Sequence, residues 1–151
     1  MAELYLEDLK AGDVFESGEH LVTETEIVEF ARRYDPQPFH LDRAAAEKSL
    51  FRGLAASGWL TAAITMKLYV AGMRLAQGSI GLGIDDLRWL KPVRPGDTLK
   101  ARSEVLSIRS SRSKPGRGIA RVRTVTTNQK GEAVQSFVAT VLVWARPKTG
   151  N

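Results

Sequence analysis

The feature that most constrains the fold of this chain is a run of almost uninterrupted apolar and small residues over positions 53–73. A run of this length could span a bilayer, which requires about 20 apolar residues. Lys67 interrupts it, however, and small residues crowd its first half, as is typical of a helix that other backbone surrounds closely. We therefore predict a buried helix that begins near Gly58, and no membrane span.

The sequence on either side of this run predicts an α+β fold. Thr23 and Glu26 have the spacing of a capping box, and the apolar residues after them recur at helical spacing, which predicts a helix over 25–34. Segments rich in Val, Ile, Thr and Leu follow Gln77 and are typical of strands. Helices followed by consecutive strands are typical of an α+β arrangement, here in one domain over residues 1–151. The predicted strands are 13–20, 80–90, 98–108, 119–127 and 134–144, with a hairpin turn at 128–131.

Cysteine usage and the N-terminus restrict the chemistry and the location. The chain of 151 residues has no cysteine, which excludes disulfides, thiolate nucleophiles and sulfur-ligated metals. Acidic residues occupy the first positions, where a signal peptide would need a basic head and an apolar run. We therefore expect a cytoplasmic protein.

The formal net charge of +5 raises the question of an anionic partner. The densest basic stretch runs from Arg109 to Arg123 and includes Arg112 and Lys114 among Ser, Pro and Gly residues. It has no interleaved aromatic residues on which bases could stack, so we expect no nucleic-acid partner. The stretch is either a solvated turn between two strands or a phosphate-binding segment, and Arg112 and Lys114 are the candidate phosphate contacts.

Two histidines are present, and their surroundings differ. His20 lies in a strand-like segment with no partner that the sequence identifies, which predicts a surface histidine. His40 follows Asp35 by five residues, and the prolines at 36 and 38 stiffen the intervening segment into a constrained loop. A carboxylate and an imidazole held in one small volume can activate a water by general acid–base catalysis. A structural histidine is the alternative at this point.

Gly58 adds a second chemical element at the predicted start of the buried helix. Free backbone N–H groups and the positive end of the helix dipole gather at such a terminus, and glycine lets a ligand approach closely. A carbonyl oxygen placed there would have its developing negative charge stabilised, as in an oxyanion hole. Simple close packing is the alternative explanation for this glycine.

These residues resemble the hydratase-type motif of the MaoC-like family. The family pattern is Asp-x-Asn-Pro-aliphatic-His, followed about 18 residues later by a glycine that opens the central helix. Here the segments are Asp35-Pro36-Gln37-Pro38-Phe39-His40 and then Ser57-Gly58, with no insertion between them. The segment 90–99, Leu-Lys-Pro-Val-Arg-Pro-Gly-Asp-Thr-Leu, is similar to the strand and turn common in the family.

The resemblance implies a hotdog fold, in which an antiparallel sheet wraps around a long central helix, and a homodimer with sites at the subunit interface. It implies an (R)-specific enoyl-CoA hydratase, which adds water reversibly to a trans-2-enoyl-CoA. By this analogy Asp35 and His40 position and activate the water, and the Gly58 N–H polarises the thioester carbonyl. Neither a metal nor another cofactor is implied.

Several residues depart from the family pattern. Gln37 stands where asparagine is usual, and Ser57 replaces a common histidine before the helix glycine. We predict that Ser57 and Trp59 contact the substrate, since a bulky Trp59 would narrow or redirect the acyl pocket. A hotdog acyl-CoA thioesterase, which would aim water at the carbonyl carbon, and a non-catalytic acyl-CoA-binding protein are the alternatives to the hydratase.

Overall fold

The computed structural model describes residues 2–149. After a 3₁₀ turn at Leu6–Asp8, the chain forms one strand, four helices and then four strands. The elements are β1 (Val14–Leu21), α1 (Glu24–Tyr34), α2 (Pro38–Leu41), α3 (Arg43–Glu47), α4 (Gly58–Met73), β2 (Ser79–Trp89), β3 (Thr98–Ser110), β4 (Arg117–Thr127) and β5 (Ala133–Trp144).

The five strands form one antiparallel sheet in the order β1-β3-β4-β5-β2. β2 therefore pairs with β5, although β3 follows it in the chain, and β1 and β2 are the two edges. All five predicted strands and the hairpin turn between β4 and β5 are present, with ends within two residues of the prediction.

Helix α4 packs its buried residues against the concave side of this sheet. It contributes Tyr69 and Met73 to a cluster with β3, β4 and β5, and Leu60, Ile64 and Leu68 to a second cluster nearer its N-terminus. A long helix enclosed by an antiparallel sheet is the α+β hotdog fold that the resemblance implied.

Two details differ from the prediction. The segment from Asp35 to His40 was predicted to be a loop, but Pro38 begins the short helix α2 and His40 lies on this helix. Proline is well suited to this first helical position, since its fixed φ is helical and its missing N–H is not needed there. Helix α4 is also not buried on every side, since Trp59, Met66 and Val70 form an exposed stripe along it.

Within residues 2–149, no helix has the length and apolar character needed to cross a membrane.

Candidate active site

Asp35 and His40 lie close together at the C-terminal end of α1. The Asp35 N–H donates to the carbonyl of Ala31 at 2.9 Å, which ends α1 at this residue. The side chain of His40 is 5% exposed, and its Nε2 lies 3.3 Å from Asp35 Oδ2. The two side chains that the sequence singled out are therefore near enough to share one proton or contact one water.

The backbone fixes which nitrogen of His40 is available for chemistry. Nδ1 lies 2.6 Å from the carbonyl oxygen of Ala55, and because a carbonyl only accepts hydrogen bonds, Nδ1 carries a proton. Nε2 is the nitrogen that faces Asp35. In the neutral imidazole Nε2 is then a proton acceptor, and in the imidazolium it is a donor.

Asp35 is held by two further side chains. Gln37 Nε2 donates to Oδ1 at 2.5 Å, and Ser57 Oγ donates to Oδ2 at 2.7 Å. Burial raises the pKa of Asp35, but the hydrogen bonds from Ser57 and Gln37 and the charge of His40 together lower it further, so the pKa is below the usual range. Asp35 is therefore ionised at neutral pH, and the longer amide of Gln37 reaches the carboxylate.

Ser57 has a different place from the one predicted for it. It is fully buried, and its hydroxyl both donates to Asp35 and accepts from the Trp59 N–H at 3.2 Å, as the N-cap of α4. Because both partners lie within the protein, Ser57 is a positioning residue for Asp35. The expectation that it contacts the substrate is not supported by this geometry.

Gly58 begins α4, as predicted, and its N–H has no partner within residues 2–149. The α-carbon lies against the indole of Trp89, and a Cβ added at this position would be 2.4 Å from Trp89 Cε2. A side chain does not fit in this contact, so the site requires glycine. The free N–H belongs to a helix terminus, where it can donate to a carbonyl oxygen with developing charge.

Trp89 is a site residue that the sequence analysis missed. Its Nε1 donates to Oε1 of Gln135 at 2.9 Å, and the fully buried Gln135 in turn donates from Nε2 to Thr65 Oγ1 at 3.0 Å. This buried chain of hydrogen bonds fixes the indole over the N-terminus of α4. The sequence shows a tryptophan at the end of a predicted strand. Its hydrogen-bond partner lies 46 positions further along the chain, so no local pattern indicates that this tryptophan belongs to the site.

Trp59 is not a lining residue, in contrast to the prediction. It is 58% exposed and contacts Trp89 edge to face, with ring centroids 5.1 Å apart. Consecutive residues of a helix are rotated by about 100° around its axis, so Trp59 faces a different direction from Gly58. Trp89 is the indole that shapes the opening.

These elements surround a cleft of about 400 Å³. His40, Gln37, Gly58 and Thr61 contribute polar groups, and the remaining walls are apolar and aromatic apart from Lys91, which is paired with Glu132. An apolar cleft with a few convergent polar groups is the usual form of a small-molecule site. The apolar and aromatic lining residues are Phe39, Phe51, Ala56, Trp89, Leu90, Pro92 and Val93.

The structure does not bring Arg112 and Lys114 to this cleft. Both lie in the β3–β4 hairpin, next to the pairing of Ser110 with Gly118, whereas the cleft lies near Gln135, which pairs with Thr126. Eight residues of β4 separate these two pairings, or about 26 Å at ~3.3 Å per residue. A role in substrate binding within one chain is therefore not supported, and the stretch forms the turn that was the other expectation.

His20 is not an unpartnered surface histidine. Its Nε2 lies 2.9 and 3.2 Å from the two carboxylate oxygens of Glu26, which also accepts from the Thr23 N–H in the predicted capping box. The pair fixes β1 to the first turn of α1. It lies outside the cleft and has a structural explanation.

A sheet wrapped around α4, with a carboxylate–imidazole pair beside the helix N-terminus, places the chain in the class of hotdog-fold proteins. Residues 10–128 match the MaoC-like domain, and the chain belongs to this family. The recognition based on the motif is therefore confirmed.

Individual relatives agree with this assignment. A MaoC-like dehydratase from Rhodospirillum rubrum is 53% identical and superposes with a TM-score of 0.92, covering 96% of this chain and 99% of that one. The R-hydratase PhaJ1 from Pseudomonas aeruginosa is 26% identical with a TM-score of 0.78, covering 99% and 93% of the two chains. A mesaconyl-CoA hydratase from Cereibacter sphaeroides is 49% identical over 65 residues, which are 43% of this chain and 19% of that protein.

Proposed function

We propose that this protein is an (R)-specific enoyl-CoA hydratase, a hydro-lyase that adds water reversibly to a trans-2-enoyl thioester. The observation that carries the proposal is the 3.3 Å approach of Asp35 Oδ2 and His40 Nε2 beside a cleft that also contains the free N–H of Gly58. Two relatives are named as hydratases, PhaJ1 and the mesaconyl-CoA hydratase, which supports this reaction class.

The proposed reaction divides the chemistry between three groups. The substrate carbonyl accepts a hydrogen bond from the Gly58 N–H, which withdraws electrons from the conjugated double bond. Asp35, ionised because of its low pKa, accepts a hydrogen bond from water and orients it toward the β-carbon. As the water oxygen bonds to the β-carbon, His40 Nε2 takes the water proton, and the π electrons of the double bond form an enolate.

The proton then completes the addition. His40 Nε2 returns it to the α-carbon, the enolate electrons form the new C–H bond, and the thioester carbonyl is restored. The fixed Nδ1–H bond to Ala55 keeps the imidazole in one orientation through both transfers. The reverse sequence dehydrates a 3-hydroxyacyl thioester.

One experiment separates hydration from thioester hydrolysis. With trans-2-enoyl-CoA substrates of graded chain length, we expect ultraviolet absorbance of the conjugated thioester to fall with no thiol detected by a thiol reagent. Thiol release that matches the absorbance loss would identify a thioesterase and overturn the proposal. Unchanged absorbance and no thiol release over the whole series, together with acyl-CoA binding, would identify a non-catalytic binding protein.

We also propose that the protein is a homodimer paired through the edge strand β2. The side chains of Ile80, Leu82 and Ile84 on this strand are each about half exposed, as are those of the exposed stripe of α4. An unpaired apolar edge strand is a template for pairing with another chain. A second copy would cover both features, and light scattering is expected to give twice the mass of one chain.

A charge placed on this edge tests the interface. Leu82→Lys is expected to raise the dimer dissociation constant by at least about 30-fold, because a lysine replaces an apolar contact whose loss costs ~2 kcal/mol or more. Val14→Lys on β1 is the matched control, since Val14 is a similarly exposed apolar residue on the opposite edge. Dissociation by the control variant, or a monomeric unmodified protein at micromolar concentration, would contradict the proposed interface.

A further inference from the structure

A second concavity, of about 390 Å³, adjoins the active-site cleft and is formed largely by arginines. The segment around Phe51 contributes to both, and so does the turn before β3. Within each segment, neighbouring residues line different recesses, so the two recesses are adjacent. The residues lining the second one are Arg43, Arg52, Gly53, Leu54, Arg94 and Pro95.

The three arginines differ in how their charge is compensated. Arg43 makes a two-point ion pair with Glu24, at 2.6 and 2.8 Å. The guanidinium of Arg94 donates to the backbone carbonyls of Phe51, Gly53 and Leu54, whereas its backbone N–H donates to the Asp97 carboxylate at 2.8 Å. Within residues 2–149, the side chain of Arg52 has no ion-pair partner. Two positive charges therefore share this concavity with no carboxylate paired to either guanidinium in that part of the chain, an arrangement that an anion would stabilise.

Arg94 is prepared to bind an anion. Its two Nη1 hydrogens and one Nη2 hydrogen bind the three carbonyls, which fixes the plane of the guanidinium. Of its five donors, the Nε hydrogen and the second Nη2 hydrogen have no partner in the part of the chain that the structure describes. A guanidinium with free donors on one side matches the geometry of a phosphate group.

Arg52 is held at the mouth of the concavity by its backbone. Its φ is 54°, in the left-handed region, which is uncommon for a residue other than glycine. The conformation is retained because the Arg52 N–H donates to Ser49 and the Gly53 N–H donates to Ala46, each at 3.1 Å. Backbone strain that surrounding hydrogen bonds maintain is often found at functional positions.

We infer that the concavity of Arg52 and Arg94 binds a phosphate group of coenzyme A while the acyl thioester occupies the cleft. The inference rests on the proposed function and names the part of the chain that holds the nucleotide end of the substrate. Coenzyme A carries a diphosphate and a phosphomonoester, and a phosphate bound beside the cleft leaves the pantetheine arm to reach the Gly58 N–H. This assignment replaces Arg112 and Lys114 as the phosphate contacts.

The test compares two thioesters with the same enoyl group, one on coenzyme A and one on N-acetylcysteamine, which has no phosphate. Arg52→Gln is expected to raise KM for the coenzyme A thioester about tenfold with kcat unchanged, because a distant charge-assisted contact binds ground and transition states equally. KM for the N-acetylcysteamine thioester is expected not to change. Arg52→Lys, which keeps the charge, should restore most of the affinity.

Arg102→Gln is the matched control, since Arg102 is an exposed arginine on β3 outside both recesses, and it should change neither KM. An Arg52→Gln effect on both thioesters would mean that Arg52 shapes the cleft, and an effect on neither would mean that it binds nothing; either result overturns the inference. If the unmodified protein hydrates neither thioester, the proposed function fails, and calorimetry with adenosine 3′,5′-bisphosphate decides the phosphate site separately. Binding that Arg52→Gln weakens supports the site, and no binding overturns it.

Discussion

Asp35→Asn and His40→Ala are each expected to lower kcat by roughly 10²- to 10⁴-fold, the usual contribution of a positioned acid or base. In the proposed mechanism, Asp35→Asn removes the negative charge that orients the water, and His40→Ala removes the Nε2 that carries the proton. The rate at which the ultraviolet absorbance of an enoyl-CoA falls gives kcat for each variant, and circular dichroism checks the fold. His40→Asn is a second variant, since its amide can still donate to the Ala55 carbonyl.

The double variant and a matched pair sharpen this test. If Asp35 and His40 act on one water, as proposed, the loss in the double variant should be much smaller than the product of the two single losses. His20 and Glu26 form another carboxylate–imidazole pair outside the cleft, and His20→Asn should leave kcat unchanged. Full activity in either single variant of Asp35 or His40 would remove the pair from the mechanism.

Gly58→Ala is expected to destabilise the protein and to lower kcat by up to about 10²-fold, the lower range for the loss of an oxyanion-hole donor, because alanine keeps the backbone N–H but its Cβ displaces it. The new Cβ would lie 2.4 Å from Trp89 Cε2, so the indole or the helix terminus must move. Overpacking of this kind costs ~1–3 kcal/mol, which for a chain of this length lowers Tm by roughly 3–10 °C. Calorimetric unfolding and the hydration assay measure the two effects.

A compensating substitution separates the clash from other effects of the alanine. Trp89→Leu provides room for the Cβ, so the loss of Tm in the Gly58→Ala, Trp89→Leu double variant should be smaller than the sum of the losses in the two single variants. Trp89→Leu by itself should be destabilising, because the buried Gln135 loses the indole N–H. A Gly58→Ala variant with unchanged Tm and unchanged kcat would contradict both the packing of Trp89 and the role of this terminus.

The local parts of the fold and site could be predicted from the sequence. The capping box of Thr23 and Glu26, the helix that begins at Gly58 and the nearness of Asp35 to His40 all depend on a few consecutive residues. Short-range chemistry determines them, because caps, prolines and glycines act on their own neighbours. For the same reason the strands could be located, although their order could not.

The parts that could not be predicted depend on pairings between distant segments. Trp89 enters the site because β2 pairs with β5 and brings it to Gln135, and no local pattern encodes that partner. Ser57 could be located at the helix start, but its bond to Asp35 joins residues 22 positions apart. Arg112 and Lys114 were selected by charge density alone, which carries no information on their distance from the cleft.

The four residues Ala55-Ala56-Ser57-Gly58 contact or contain each polar group of the candidate site. The Ala55 carbonyl accepts from His40, the Ser57 hydroxyl donates to Asp35, Gly58 begins α4, and the Ala56 N–H donates to Val93 at 2.8 Å. A displacement of this one segment would therefore disturb the orientation of His40, the contact with Asp35 and the position of the Gly58 N–H at the same time. Substitutions meant to reshape the cleft alone are better placed on walls outside the segment, such as Phe39, Phe51 and Leu90.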